Sequence, residues 1–228
     1  MLPESSRWDE LKSNWPYLLT LAPLLAQWGR TRQLEDGWIG PGVGTALSVM
    51  TLALVAVIQA QRRKLEEASI TDKLTGLFNS RHLRTELDRQ VALAQRVHSP
   101  LSMIFLDVDE FKSFNDLYGH LTGDRFLRRV AQSLLHVVRQ HVDLCFRYGG
   151  DEFLVLCPQT RLEEASEIAK RIAQMRLEPS RRPGEAVTLS MSITQLGEAE
   201  SPRAFLQRAD RALYQAKHSG KNRMSFAE

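Results

Sequence analysis

The sequence predicts an α+β fold with a ferredoxin-like β-α-β-β-α-β core, preceded by an N-terminal helical segment of transmembrane character. Four short apolar, β-prone runs alternate with segments in which apolar residues recur at the helical period of 3.6. Their order along the chain is that of the split β-α-β unit. Upstream, residues 38–58 contain no charged residue and are long enough to cross a bilayer.

Periodicity and flanking breaker residues give the predicted elements in order. The helices span 81–97, 111–140, 161–176 and 202–218, with Gly119 and Gly123 interrupting the second of them. The strands span 100–107, 144–148, 153–158 and 187–194, a closing strand lies near 222–227, and residues 179–184 form a loop. We expect the helices to cover one face of the sheet, and the hairpin joining the central strands to present its turn at the sheet's edge.

The turn of that hairpin lies in the most informative run of the chain, residues 147–153, Arg-Tyr-Gly-Gly-Asp-Glu-Phe. Gly149 and Gly150 let the backbone approach a ligand closely. Asp151 and Glu152 supply hard oxygen ligands of the kind that magnesium prefers. The run therefore indicates a phosphate and metal site, and the alternative for its central four residues alone is an ordinary turn without a ligand.

A second group of polar residues follows the predicted strand 100–107. Asp107 and Asp109 lie on one side of a strand by its period of two, and a local turn would bring the Val108 carbonyl beside them. Asp109 could equally cap the next helix. Asn115 and Asp124 combine an amide with a carboxylate, which together match the hydrogen-bonding edge of guanine, although each alone is typical of a polar surface.

These runs resemble the motifs of the GGDEF family, the bacterial diguanylate cyclases. Residues 147–153 resemble its signature, and residues 107–124 resemble the motif that precedes it. Residues 72–79, Asp-Lys-Leu-Thr-Gly-Leu-Phe-Asn, and residues 209–222 match further segments of the family. The resemblance covers about residues 70–228. It implies the palm-type nucleotide cyclase form of the ferredoxin-like fold, with a cyclase domain at 71–228.

The resemblance also implies a reaction, the condensation of two GTP into cyclic di-GMP and two pyrophosphates by attack of a 3′-hydroxyl on an α-phosphate. Each domain would hold one GTP, so a homodimer is implied. Two Mg²⁺ or Mn²⁺ ions per active site are the implied cofactors. The alternative is a non-catalytic module that binds GTP or cyclic di-GMP and signals through protein partners, but the retained carboxylates favour the enzyme.

The implied roles fall on residues that match the family motifs. Asp107, the backbone carbonyl of Val108 and Asp151 would hold the metal ions, and Asp151 with Glu152 would be catalytic. The implied substrate-binding residues are Phe111, Lys112, Asn115, His120, Asp124, Gly149, Gly150, Lys217 and Lys221. Within this set the resemblance implies that Asn115 and Asp124 hold guanine and that the lysines hold phosphates.

Several positions depart from the family pattern. The inhibitory site of the family is an Arg-x-x-Asp before the glycines; here Asp143 is kept, Gln140 replaces the arginine, and Arg139 stands one residue too early. On a helix this would displace the guanidinium by about 100°. We therefore expect a degenerate inhibitory site, with weak or absent product inhibition. The remaining departures are Lys221, where arginine is usual, Ser80 and Ser192.

The composition argues against a nucleic-acid-binding protein. The formal net charge is +3, from 30 basic and 27 acidic residues that are scattered along the chain, so no basic stripe is available for nucleic acid. Hydrophobic residues make up 43% of the chain, enough for one core and a short appendage. We expect Cys145 and Cys157 to be reduced and buried, because a compartment that supplies GTP is reducing.

Residues 1–60 are expected to form a helical hairpin that anchors the chain in the membrane. Two uncharged stretches, 13–29 and 38–58, would span the bilayer, joined by a turn at 30–37. The basic run 62–64 places the following domain in the cytoplasm by the positive-inside rule, so we expect a location at the bacterial inner membrane.

Residues 61–70 are expected to be a signalling helix or linker through which an activating protein partner could act. The alternative to the membrane anchor is a cytoplasmic protein. In that alternative the same N-terminal segments would form a dimerising stalk or a platform for the partner.

Overall fold

The computed structural model describes residues 39–175 and 187–227, with the side chains of 39–43 and 62–68 left aside. The chain divides into two compact units, Met1–Ala68 and Ser69–Glu228. The helices are α1 Ile39–Ala68, α2 Ser80–Val97, α3 Phe111–Tyr118, α4 His120–Val137, α5 Leu162–Ala173 and α6 Pro202–His218. The strands are β1 Phe78–Asn79, β2 Leu101–Val108, β3 Leu144–Gly149, β4 Glu152–Pro158, β5 Leu189–Gln195 and β6 Met224–Ala227.

The described part of the first unit is the single helix α1, which is 30 residues long. Its segment Gly44–Gln61 has a mean hydropathy of 1.6, none of it is buried, and its length and composition suit a membrane span. The helix continues through residue 60, where we predicted the boundary between the anchor and the signalling helix. The predicted first span, 13–29, and the turn at 30–37 lie outside the described residues.

The second unit is built on a six-stranded mixed sheet with the order β1-β3-β4-β2-β5-β6. Adjacent strands within the set β3, β4, β2 and β5 are antiparallel to one another, and short parallel partners, β1 and β6, extend the sheet at both ends. The chain order β2-α-β3-β4-α5-β5 is the ferredoxin-like connection. The predicted fold class is therefore confirmed, and the short strand β1 is an addition that the sequence did not predict.

Helices cover both faces of the sheet, so our expectation of a single helical face was wrong. Ile104, Leu106 and Val108 of β2 join the core that contains α3, α4 and α5. Met103 and Phe105, which alternate with them, join a second core with α2 and α6. All eight residues of β2 are buried as a result. A continuous apolar strand of this kind is typical of a sheet covered on both sides.

The element boundaries follow local backbone chemistry. The predicted helical stretch 111–140 is two helices, because Gly119 has a φ of 80°, which ends α3 and begins α4. Asn79 caps α2 by accepting a hydrogen bond from His82 N at 2.9 Å. Ser201 caps α6 in the same way, with Pro202 at its first position. The predicted loop at 179–184 lies outside the described residues.

Candidate functional site

The β3–β4 hairpin and the end of β2 bring the predicted acidic residues to one edge of the sheet. Glu152, the first residue of β4, is the register partner of Asp107. Beside this pair, Val108 N donates a hydrogen bond to Asp151 O at 3.3 Å. Asp107 precedes Asp151 by 44 positions along the chain. The sheet nevertheless brings Asp107 beside Asp151 and Glu152 at one strand end.

The turn between β3 and β4 is the predicted one, with Gly150 and Asp151 between the two strands. Gly150 has a φ of 45°, a conformation that favours glycine. Arg147 Nε and Nη2 donate to Gly150 O at 3.0 and 2.7 Å, and Nη1 pairs with Asp72 Oδ1 at 3.1 Å. This ion pair connects the segment 72–79 to the glycine turn, and the sequence carries no local signal for it.

Burial and like charge act on the carboxylates of this edge. The Asp107 side chain is almost fully buried, and it forms an ion pair with Lys217 Nζ at 2.6 Å. Burial raises the pKa of Asp107 to about 6, helped by the neighbouring Asp151 and Glu152 and opposed by Lys217. The pKa of Glu152 is also raised, chiefly by burial. Negative charge is thus costly here, which is the condition under which a cation binds.

The donor set suits a magnesium site that a substrate completes. Among the described residues, no group of three or more His, Cys, Asp and Glu side chains is arranged to hold a metal. Magnesium in nucleotide sites is usually held by one or two carboxylates together with substrate phosphates and waters. The carboxylates of Asp107 and Asp151, with main-chain oxygens beside them, fit that requirement. Lys217 Nζ now supplies the positive charge next to Asp107.

Asp109 is neither exposed to a ligand nor the cap of the next helix, since Glu110 is the N-cap of α3. Its carboxylate accepts hydrogen bonds from Thr188 Oγ1 at 2.6 Å, Ser190 Oγ at 2.7 Å and Asn222 N at 3.0 Å. The capping alternative for Asp109 is therefore wrong. Its lone pairs are engaged by three protein donors.

The predicted guanine-binding residues lie at the α3–α4 junction. Asn115 Oδ1 is buried without a hydrogen-bond partner among the described residues. A Cβ at Gly123 would lie 1.8 Å from this oxygen and 3.1 Å from Phe111 Cζ. Asp124 follows at once and is half-buried, whereas His120 is exposed. A buried polar atom without a partner is costly, so the Asn115 amide is under-satisfied in the ligand-free protein.

The predicted phosphate-binding residues surround the β2–α3 turn. Lys112 is exposed in the first turn of α3, and Phe111 packs against Phe114 and Phe126. Lys221 pairs with Glu110, in the same turn. Lys112, Lys217 and Lys221 therefore lie on elements that meet near Asp107. Their three positive charges suit the negative charge of a triphosphate.

The predicted inhibitory residues contact each other. Arg139 Nη2 donates to Asp143 Oδ1 at 2.6 Å, to Thr160 Oγ1 at 2.6 Å and to Pro158 O at 3.0 Å. The Asp143 side chain has no exposed surface. Arg139 lies beyond the end of α4 at Val137, so the helical displacement we predicted does not apply. The Arg139 guanidinium instead donates hydrogen bonds to acceptors within the protein.

Comparison with known proteins identifies these motifs. The family described as "Diguanylate cyclase, GGDEF domain" matches residues 69–223. The response regulator PleD of Caulobacter vibrioides is 42% identical over 165 residues, which are 68% of this chain and 36% of PleD. The diguanylate cyclase DosC of Escherichia coli is 38% identical over 178 residues, 75% of this chain and 38% of DosC. The chain therefore spans well under half the length of these relatives.

Solved structures agree with the sequence relatives. The GGDEF domain of DgcB from Caulobacter crescentus in complex with c-di-GMP has a TM-score of 0.65 and 32% identity, covering 69% of this chain and 95% of that domain. The diguanylate cyclase SiaD from Pseudomonas aeruginosa, in complex with its activator SiaC, has a TM-score of 0.65 and 32% identity over 97% of this chain and 84% of SiaD. From residue 69 onward, the chain belongs to the GGDEF family of diguanylate cyclase domains.

Proposed function

We propose that this chain is a diguanylate cyclase that condenses two GTP into cyclic di-GMP and two pyrophosphates. The observation that carries the proposal is the edge at which Asp107 and Glu152 are register partners and Lys217 Nζ lies 2.6 Å from Asp107. Paired carboxylates suit a divalent metal ion, and the neighbouring lysines suit the phosphates of a metal-bound triphosphate. The named activity of the relatives supports the same reaction.

Asp107, the Val108 carbonyl and Asp151 would hold two Mg²⁺ or Mn²⁺ ions. When bound, such ions neutralise phosphate charge and lower the pKa of a nearby hydroxyl. Asp151 or Glu152 would accept or orient the proton of the attacking 3′-hydroxyl. The raised pKa of Glu152 supports a role in moving a proton, because a carboxylate with raised pKa is a better base.

Lys112, Lys217 and Lys221 would bind the triphosphate, with Gly149 and Gly150 letting the turn approach it. When the triphosphate binds, the Lys217 ammonium group would leave Asp107 and pair with a phosphate oxygen. Asn115 and Asp124 would hold guanine: the Asn115 amide Nδ2 would donate to O6 or N7, and the Asp124 carboxylate would accept from the N1 and N2 hydrogens. His120, exposed at the start of α4, would contact the nucleotide at the rim of the site.

Two domains would be required, because each holds one GTP and the 3′-hydroxyl of one must reach the α-phosphate of the other. A homodimer with the sites facing each other satisfies this by two-fold symmetry. Control of the reaction would then act through assembly and orientation of the two domains.

The N-terminal unit would locate and regulate the enzyme. We infer that α1 anchors the chain at the bacterial inner membrane with residues 69–228 in the cytoplasm, supported by the uncharged, unburied segment Gly44–Gln61. An activating protein partner is supported by the likeness to SiaD, which is seen with its activator and covers 97% of this chain. Such a partner would act through the N-terminal region.

The test is product formation by the full chain in detergent with GTP and Mg²⁺, compared with Asp151→Ala. Asp116→Asn, which removes an exposed carboxylate from α3, is the matched control. We expect cyclic di-GMP from the parent protein and from Asp116→Asn, and none from Asp151→Ala. Binding of GTP without product in a confirmed dimer, with and without added partner, would instead support the non-catalytic binding module.

A further inference from the structure

The carboxylate of Asp109 is the most completely bonded acidic group near the proposed site, and the proposed reaction gives it no role. It is buried, with 6% of its surface exposed. Thr188 Oγ1 and Asn222 N donate to one oxygen at 2.6 and 3.0 Å, and Ser190 Oγ donates to the other at 2.7 Å. Such a carboxylate has little capacity left for a metal, although it stands two residues from Asp107.

These three donors come from two separate parts of the chain. Thr188 immediately precedes β5 and Ser190 is its second residue, and Asp109 N also donates to Thr188 O at 3.0 Å. Asn222 belongs to the turn Ser219–Arg223, which connects α6 to β6. Asp109 therefore joins the end of β2 to β5 and to a turn more than 100 positions away.

That turn has an unfavourable backbone. Gly220, Lys221 and Asn222 are three consecutive residues with positive φ, at 119°, 56° and 46°. Glycine and asparagine tolerate this region, but lysine gains nothing there and pays a steric cost. A conformation of this kind persists where surrounding contacts determine it. The hydrogen bond from Asn222 N to Asp109 is such a contact, and Lys221 N to Ala216 O at 3.3 Å is another.

The conformation of this turn determines where the Lys221 side chain lies. Its ammonium group pairs with Glu110, the residue that follows Asp109, on the exposed side of the β2–α3 turn. Asp109 thus holds the backbone of the turn, and Glu110 pairs with the side chain of Lys221. Lys221 is one of the three lysines near Asp107, and the proposed function assigns it to the triphosphate.

We propose that Asp109 is a positioning residue for nucleotide binding, which acts by holding the Ser219–Arg223 turn so that Lys221 faces the β2–α3 turn. This inference rests on the proposed function for the identity of the ligand. The competing explanation is that Asp109 is a third metal ligand. A second competing explanation is that it only stabilises the fold.

The first measurement is amide hydrogen exchange of the ligand-free full chain. In Asp109→Asn and Asp109→Ala, we expect peptides covering 219–223 to exchange faster than in the parent, while peptides from β3 and β4 are unchanged. Asp109→Asn keeps one acceptor oxygen and should give the smaller effect, which also provides a folded variant if Asp109→Ala is unstable. Asp116→Asn is the matched control for removal of a nearby charge. Unchanged exchange at 219–223 in both variants would overturn the inference.

The second measurement is binding of GTP whose 3′-hydroxyl is replaced by hydrogen, in the presence of Mg²⁺, by calorimetry. Losing one charge-assisted phosphate contact should weaken binding roughly tenfold in Lys221→Ala and in Asp109→Ala. If Asp109 acts through Lys221, the double variant should bind no more than about twofold worse than Lys221→Ala, because the two changes are not independent. Fully additive losses would overturn the inference.

Metal binding separates Asp109 from the proposed ligands. In a Mn²⁺ titration of the same proteins, Asp109→Asn should retain parental affinity, and Asp107→Asn should lose it. Equal losses would assign Asp109 to the metal and refute its role in positioning. If the parent protein binds no nucleotide, the proposed function fails, and the exchange measurement still decides whether Asp109 holds the turn.

Discussion

At the scale of single residues, Gly123 is the position at which the smallest change should have the largest effect on the site. It lies within α4, and a methyl group there would meet Asn115 Oδ1 at 1.8 Å. In Gly123→Ala, Asn115 must leave its position, although alanine is the better helix former by about 1 kcal/mol. We expect KM for GTP to rise roughly tenfold, as for one lost hydrogen bond to a ligand, with little change in Tm.

Gly197→Ala is the matched control, because a Cβ there would have its nearest neighbour at 3.5 Å, an ordinary contact. It should leave both KM and Tm near the parental values. Parental KM in Gly123→Ala would show that Asn115 does not hold guanine in its present position.

Asp107 should make the ligand-free protein less stable as pH rises. Its pKa in the folded protein is raised to about 6, so the folded state binds this proton more tightly than the unfolded state. The stabilisation is fully present below the ordinary pKa of 3.8 and is lost as pH rises through about 6. Asp107→Asn cannot ionise, and in EDTA at pH 7.5 it should unfold at a higher temperature, by about 1–3 kcal/mol in stability.

The measurement is thermal unfolding of both proteins from pH 4 to pH 8. The advantage of Asp107→Asn should shrink towards pH 4, while its catalytic activity should be absent. A lower Tm for Asp107→Asn at pH 7.5 would mean that its ion pair with Lys217 outweighs burial and the repulsion from Asp151 and Glu152.

The residue types of the site were predictable, but several of their contacts were not. Carboxylates and glycines at strand ends indicate metal and phosphate chemistry by type alone, so Asp107 and the hairpin turn could be found in the sequence. The Arg147–Asp72 ion pair joins residues 75 positions apart, and Asp109 contacts Asn222 across 113 positions. Pairings of this separation depend on the folded sheet, and local sequence carries no signal for them.

At the scale of elements, β2 explains why one prediction of the fold failed. Its eight residues are uniformly buried, and a continuous apolar strand indicates cover on both faces. The helical apolar patterns of α2 and α6 do not specify which face of the sheet each helix covers, and the continuous apolar pattern of β2 was the signal that we missed. Strand and helix positions were predicted because their periodicities are local properties, and Gly119 marked the break that separates α3 from α4.

The segment between α4 and β3 should lack product inhibition of the family type. Arg139 is bonded to Asp143, Thr160 and Pro158, and Gln140 occupies the usual arginine position. Binding of cyclic di-GMP would require Arg139 to break several charge-assisted hydrogen bonds, each worth roughly 1.5–3 kcal/mol. We expect steady-state turnover of GTP to show no noncompetitive inhibition by added cyclic di-GMP.

Asp143→Ala serves as the comparison, since it removes the acidic residue and should lower stability by about 1–3 kcal/mol. Its inhibition profile should match that of the parent. Tight noncompetitive inhibition of the parent that disappears in Asp143→Ala would contradict this prediction. Restoring the family pattern with Gln140→Arg provides the opposite change.

At the scale of the whole molecule, the described part of α1 presents a continuous apolar surface that suits contact with a membrane or with another protein. Leu47, Val49, Met50, Leu52 and Leu54 are all exposed, with Leu52 at 57% and Leu54 at 58%. Contiguous exposed apolar surface of this kind marks a membrane or protein contact. The uncharged length favours the bilayer, because a helix that packs against a soluble partner usually keeps a polar face.

The membrane anchor predicts that the full chain stays in the membrane pellet after carbonate extraction. Arginine at the centre of a span costs about 2.5–3.5 kcal/mol, so the double variant Leu52→Arg, Leu54→Arg should release the chain into the supernatant. Leu93→Arg, at an exposed leucine of α2, should remain in the pellet. Release of the parent protein into the supernatant would refute the prediction of a membrane anchor. The apolar face of α1 would then be assigned to a dimerising stalk or an activator, and regulation would not require a membrane.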